Sequence, residues 1–315
     1  MRAEQHDILP TRRPRAARAA GFTIIELLVV IGVIGILAVI TTLGARKLTA
    51  SSRLAAGTNA VTNALGIARA AAIRDSAPTA LVFRPVWDPA RPFIPQRVEM
   101  VVVRWTGERT PFFTGQGVLS GYADRYLPVA NIPPILLPEG VKVAGPIYDP
   151  PFTFGGVPSE QVFATQAELP LAATCAETIE FNRAVAVLFG PKGEFLTRPP
   201  DSSITYDNKS YVDWNRNGSS SSPPADPQDV QLGNCASGNF QLFWLQDHPD
   251  DEPNLMFVPF LSVYDDKAAR EVKGTNWNSS ANMLAELTGP AGYIAQFGDR
   301  ITFNRFSGIP ERRVR

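Results

Sequence analysis

Residues 22–40 read FTIIELLVVIGVIGILAVI, a run in which Glu26 is the only charge and Thr23 the only other polar side chain. No other part of the chain restricts its fold so tightly. That much apolar surface must leave water, and a helix of about 20 such residues matches the hydrocarbon core of a bilayer. The run is too long for the core of a typical secretory signal, and no small-residue cleavage site directly follows it. Ahead of it stand Arg2, Arg12, Arg13, Arg15 and Arg18 against Glu4 and Asp7. A basic flank on that side predicts a single-pass helix with a cytoplasmic N terminus and the remaining chain outside.

Glu26 is the anomaly. A carboxylate inside a membrane helix costs about 3 kcal/mol even on a lenient insertion scale, so it implies a function and a partner. No Lys, Arg or His follows it within a helical turn or two. A cut after Gly21 would supply a partner, because the freed amine of Phe22 would be cationic near neutral pH. That amine could meet Glu26 of the same chain or of a neighbouring one.

The stretch GFTIIELLVV, Gly21 to Val30, resembles the processing signature of type IV pilins and type II secretion pseudopilins. The resemblance implies that a prepilin peptidase cuts after Gly21 and that Phe22 becomes the N-methylated terminus. It also implies that Glu26 is the assembly glutamate, paired in a filament with a neighbour's terminal amine. The partners it implies are the peptidase, other pilin or pseudopilin subunits, the membrane and an inner-membrane assembly platform. A plain signal anchor with a chance glutamate is the alternative.

Past Leu43 the helical pattern continues. Leu54, Val61 and Ala68 recur every seven residues and Leu65 with Ala72 forms a second row. Arg46, Lys47, Arg53, Asn59, Asn63 and Arg69 fall largely between them. This spacing predicts one apolar stripe running to about Arg74, with Pro78 ending the helix. Gly44 and Gly57 mark places where it could bend. The expected organisation is a basic leader over 1–21, a transmembrane helix over 22–43, its amphipathic continuation over 44–76 and an extracytoplasmic domain over 77–315. NALGIARAAAIRDSAPTALVF (63–83) and ITFNRFSGIP (301–310) look most like the H-type minor pseudopilins and minor pilins. The implied fold class is α+β and pilin-like: a long N-terminal helix packed on an antiparallel β-rich domain with long loops.

In that domain 28 prolines in the chain oppose long helices. Strands are expected at residues 80–84, 97–105, 178–182, 185–189, 240–245, 255–264 and 300–304, with Gly190, Pro191 and Gly193 as turn residues and a short helical turn over 282–287. Residues 106–176 and 198–235 read as loop insertions, the second containing NGSSSSPPADP.

Little in this domain points to chemistry. With formal charge zero there is no electrostatic case for a nucleic-acid partner. Loss of the leader, with five basic and two acidic residues, leaves a mildly acidic product near −3. Cys175 and Cys235 would form a disulfide in an oxidising compartment, stabilising the fold by about 4 kcal/mol; two unpaired buried thiols are the alternative. His6 lies in the leader and His248 in a polar loop, and no GxSxG, HExxH, CxxC or GxxxxGK[ST] occurs. The chain therefore does not read as an enzyme. Asp213, Asn215 and Asn217, followed by Gly218, match the first half of a calcium loop, but Pro224 stands where the closing glutamate belongs. An Asn/Gly-rich turn is the competing reading, with calcium the one cofactor considered. The expected function is a minor structural subunit of a type IV pilus or secretion pseudopilus, held in the bacterial inner membrane and reaching a filament or the cell surface after assembly. The rival is a membrane-anchored binding protein that never polymerises.

Overall fold

The computed structural model describes residues 23–88, 91–113, 119–146, 163–165, 184–197, 209–214, 255–274, 282 and 284–313. The chain divides into two compact units, Met1–Thr49 and Ala50–Arg315. The fold class is α+β: an N-terminal apolar helix followed by a sheet-rich region.

Helix α1 (Ile24–Asp75) contributes to both units. In the first, Ile24–Thr41 is long and apolar enough to cross a membrane, and all of its side chains are exposed within the chain. A helix apolar on every face has no stable surface in water, so lipid or other helices must cover it. Its polar Thr41 donates its hydroxyl to the Leu37 carbonyl at 2.7 Å, which satisfies that group inside the helix.

In the second unit the heptad stripe is the centre of the core. Val61, Leu65, Ala68 and Ala72 are completely buried, with Leu54 packed at the margin. Glycine at 57 lets the helix approach its sheet closely: an added side-chain carbon would lie 2.6 Å from a Val141 methyl. The helix ends in a paired hydrogen-bond closure. Ser76, at φ 48°, takes the left-handed position, its N–H bonds the Ile73 carbonyl, and the Ala77 N–H bonds the Ala72 carbonyl, both at 3.3 Å. This is the glycine-favouring Schellman end, here occupied by serine, with Pro78 next.

Two sheets form from the described strands. The larger orders β10 (Leu255–Phe257), β7 (Ala184–Phe189), β1 (Thr79–Asp88), β2 (Arg91–Phe113), β3 (Leu119–Pro128) and β9 (Lys209–Val212), with β4 (Ile135–Leu136) on β2 and β8 (Phe195–Leu196) on β7. The smaller orders β13 (Pro310–Arg313), β12 (Asp299–Phe303), β11 (Phe260–Asp265), β5 (Val141–Pro146) and β6 (Phe163–Thr165). Leu81, Phe83, Met100 and Val187 from the larger sheet and Val143, Leu261, Val263 and Ile301 from the smaller join the α1 stripe in one core. The far face of the larger sheet packs Val82, Val103, Tyr126 and Leu188 with Trp105 and Trp214. Against the far face of the smaller sheet lie α2 (Asp266–Lys273), a π-helical turn (Leu284–Thr288) and α3 (Tyr293–Phe297), through Tyr264, Ala269, Leu287 and Ile294.

Several sequence expectations change here. The strand expected over 255–264 is two strands in different sheets, because Pro259 cannot donate to a ladder and the chain turns from one sheet to the other there. The antiparallel β-rich domain also holds two parallel pairs, β10 with β7 and β3 with β9. Both join strands separated by long connections, which parallel pairing requires. Residues 106–176, read as a loop insertion, hold the end of β2 and all of β3 to β6, and residues 198–235 hold β9. The strands expected at 178–182 and 240–245 lie outside the described residues. The turn at 190–193 joins β7 to β8 as an antiparallel pair.

Because Ser76 carries the left-handed strain that glycine avoids, Ser76→Gly should raise stability by about 1 kcal/mol. Denaturant unfolding of the isolated protein checks this, and an unchanged or lower midpoint would contradict it.

Candidate functional site

The first turn of α1 is the site with the most definite geometry. Thr23 is its N-cap: the Leu27 N–H bonds the Thr23 carbonyl at 3.1 Å, and the Glu26 N–H bonds Thr23 Oγ1 at 3.2 Å. Glu26 reaches back in return. Its Oε2 accepts from the Thr23 backbone N–H at 3.1 Å and from the Thr23 hydroxyl at 3.2 Å. The pattern T-x-x-E is a reciprocal capping box, in which two otherwise orphaned donors and the carboxylate satisfy one another. The carboxylate also sits at the positive end of the helix dipole. Sequence reading looked for a cation beside Glu26 and missed this neutral partner three residues upstream, although the T-x-x-E spacing signals it. Gly21 and Phe22 lie outside the described residues.

The calcium reading meets a competing cation. Asp213 is completely buried, and its Oδ2 accepts from Arg125 Nε at 2.8 Å and Nη2 at 2.6 Å. Arg125 also pairs with Glu108, and the Asp213 N–H bonds the Tyr126 carbonyl at 2.9 Å. A metal at Asp213 would therefore have to displace a two-pronged guanidinium contact. Asn215 and Asn217 lie outside the described residues, as do Cys175, Cys235 and His248.

A second polar cluster lies beneath α2. Asp265 caps that helix, accepting the Ala268 N–H at 3.0 Å, and pairs with Arg53 of α1 at 3.2 Å. Asp266 is buried; its Oδ2 meets Arg270 at 3.3 Å, while Oδ1 has no hydrogen-bond partner. Burial pushes the Asp266 carboxyl above its ordinary value, and Asp265 adds to this, against the opposing charges of Arg270 and Lys142. The buried Tyr264 hydroxyl lies 2.6 Å from Thr165 Oγ1, and its phenol is raised well above its ordinary value, first by burial and then by Asp266. Tyr293 is pushed up to about 12 by burial. Among the described residues no group of three or more His, Cys, Asp or Glu is placed to hold a metal. The helix α2 was not foreseen, though Asp265 followed by DKAAREVK is an N-cap before a helix-forming run.

An apolar helix of bilayer length, opened by a carboxylate that is capped within its own first turn and preceded by a basic segment, defines a membrane-anchored precursor. Residues 16–42 match the family model for the prokaryotic N-terminal methylation motif. The chain thus carries the type IV pilin and pseudopilin signature, which is that of a structural subunit. No curated protein matches the chain, nor does any solved structure.

Asp266 gives a pH test. Its folded-state pKa lies above the unfolded value, so the native state holds the proton longer, and stability falls as pH rises from the unfolded value through the folded one. Asp266→Asn should remove that fall. Melting temperatures of both proteins from pH 3.5 to 7 check it: the variant should gain on wild type as pH rises, and a constant gap would contradict the assignment.

Proposed function

We propose that this chain is a minor subunit of a type IV pilus or a type II secretion pseudopilus. It inserts with its N terminus in the cytoplasm, a prepilin peptidase cuts after Gly21, and Phe22 becomes the methylated terminus. Its apolar helix then leaves lipid for a bundle of equivalent helices on the assembly platform. The observation that carries this reading is the methylation motif over residues 16–42, with Glu26 closing the first turn of α1.

The capping box gives the reading a physical course. While the subunit waits in the membrane, Thr23 shares the Glu26 charge and lowers the cost of holding it near lipid. After processing, the Phe22 amine is a stronger partner than a hydroxyl, since its full positive charge adds a Coulombic attraction to the Glu26 carboxylate that a neutral hydroxyl lacks. A neighbour's amine, delivered at the right axial height, would exchange with Thr23 and fix the register of the two helices. Dispersion packing among the apolar side chains supplies cohesion, and the ionic contact supplies position. The size of the second unit suits a subunit used sparingly.

The test is intact-mass and N-terminal analysis of membrane-extracted protein, with Gly21→Ala and Glu26→Val alongside. Wild type should begin at methylated Phe22, and Gly21→Ala should keep its leader. Glu26→Val should be cut and stay in the membrane while its recovery in sheared filaments falls at least tenfold. An uncut wild type in cells with active peptidase, or normal filament recovery of Glu26→Val, would overturn the reading.

A further inference from the structure

Helix α2 is a short flap held to its sheet by few groups. Of its eight residues only Asp266 and Ala269 are buried, and Val272 is 59% exposed. An alanine brings little apolar area, and a helix of this length is not stable in water by itself. The pairs at its rim, Lys267 with Glu139 and Lys273 with Glu286, are partly exposed and add little. The hold of α2 on the smaller sheet therefore turns on Asp266. The residue before it is fixed from two sides: Asp265 is buried, pairs with Val141 of β5 and meets Arg53 of α1.

Asp266 itself is docked but incompletely paired. Its N–H bonds the Gly140 carbonyl at 2.7 Å, and its Oδ2 meets Arg270 at 3.3 Å. Its buried Oδ1 has no hydrogen-bond partner among the described residues. Around the carboxyl stand Lys142 of β5, Asp265 and Tyr264 of β11 and Arg270 of α2 itself, with Tyr293 of α3 beside Tyr264. The π-helical turn adds Glu286, already paired with Lys273, and α1 adds Arg53, already paired with Asp265. Arg270, Lys142 and the helix dipole favour the ionised carboxylate, while burial and Asp265 oppose it, and burial is the largest of these effects. An unpaired oxygen costs far more on a buried carboxylate than on a neutral carboxyl. Once ionised, that oxygen gains a donor when the first turn of α2 lifts and water enters.

We propose that α2 is a pH-sensitive flap, held tightly while Asp266 is protonated and opening more often once Asp266 is ionised, with its hinge between Asp265 and Asp266. Opening gives up the Ala268–Asp265 cap, the Asp266–Gly140 bond and the burial of Ala269. It uncovers Tyr264 and Lys142, both buried on the face of the sheet beneath. The pairing of Asp265 with Val141 and its contact with Arg53 stay in place, so the opening is local and the α1 core is not disturbed. The flap works in the single subunit, whether or not the chain assembles.

The test is amide hydrogen exchange of the full-length protein in detergent from pH 4 to pH 7, read by mass spectrometry and corrected for the intrinsic pH dependence of exchange. The buried stripe of α1 serves as the internal reference. The expected result is that the opening of α2, relative to that stripe, rises at least fivefold as pH rises. In Asp266→Asn the same ratio should stay flat. Asp266→Ala removes the carboxyl without introducing an amide and should also be flat, which covers the case in which the asparagine variant fails to fold. A flat ratio in wild type overturns the flap. So does an equal rise in both segments, which would be global loosening, and so does a rise that persists in a folded Asp266 variant, which would place the titrating group elsewhere.

Discussion

The second unit depends on one buried helical stripe. Val61, Leu65, Ala68 and Ala72 face both sheets, so the same few side chains close two β-layers that share no hydrogen-bonded strand among the described residues. Alanine at two of these positions brings strands close to the helix axis, and glycine at 57 brings Val141 closer still. Full burial of a Leu or Val contributes about 1.5–3 kcal/mol, and such contacts outnumber the ionic ones. Polar links then fix how the helix sits: Arg53 on Asp265, Thr58 Oγ1 3.0 Å from Asp299 Oδ2, and Arg69 on two loop carbonyls. They are spaced along the length of α1, so sliding it by a turn would break all three together.

The buried charges fit that role of specifying position better than a catalytic one. Asp213, Asp265 and Asp266 each meet an arginine, and Asp265 and Asp213 also bond backbone groups at element boundaries. A buried ion pair adds little net stability against an apolar replacement, but losing one member leaves a charge stranded. Misregistered sheets would incur that cost, which favours one arrangement over its neighbours.

How much of this was legible in the sequence follows the range of each interaction. The α1 stripe and its end near Asp75 could be read from the seven-residue spacing and Pro78, because both are local. Strands with clean β-branched runs, such as 185–189 and 300–304, could be read for the same reason. Strands β3 and β5 could not, since glycine, proline and charge interrupt their patterns and burial by distant elements decides them. Lys142 is the clearest case: a lysine within VKVAGP reads as a solvent face, yet the strand is buried along its whole length. The pairing of β3 with β9 and of β10 with β7 spans long connections, and nothing local encodes which strand such a segment will join. At the N-terminal site, Glu26 was legible because charge in an apolar run is conspicuous. Thr23 was passed over because a hydroxyl is not, although it holds the carboxylate in the first turn.

That pair explains why the anomalous residue sits where it does. A carboxylate deeper in the helix would find only carbonyls and apolar side chains, with every backbone N–H already used in the ladder. In the first turn alone, free N–H groups and the dipole favour negative charge, and an N-cap threonine can share it. On the proposed function, position 26 serves two kinds of partner: its own Thr23 while the chain is alone, and a terminal amine once one is presented. The partnership with Thr23 is weak enough to exchange, being one backbone N–H and one hydroxyl at 3.1 and 3.2 Å. A stronger internal clamp, such as an arginine in place of Thr23, would hold the charge too well to give it up. A bare carboxylate would resist entering the membrane at all. On the proposed function, the moderate strength of this cap is what lets one residue serve both storage in the bilayer and register in the filament.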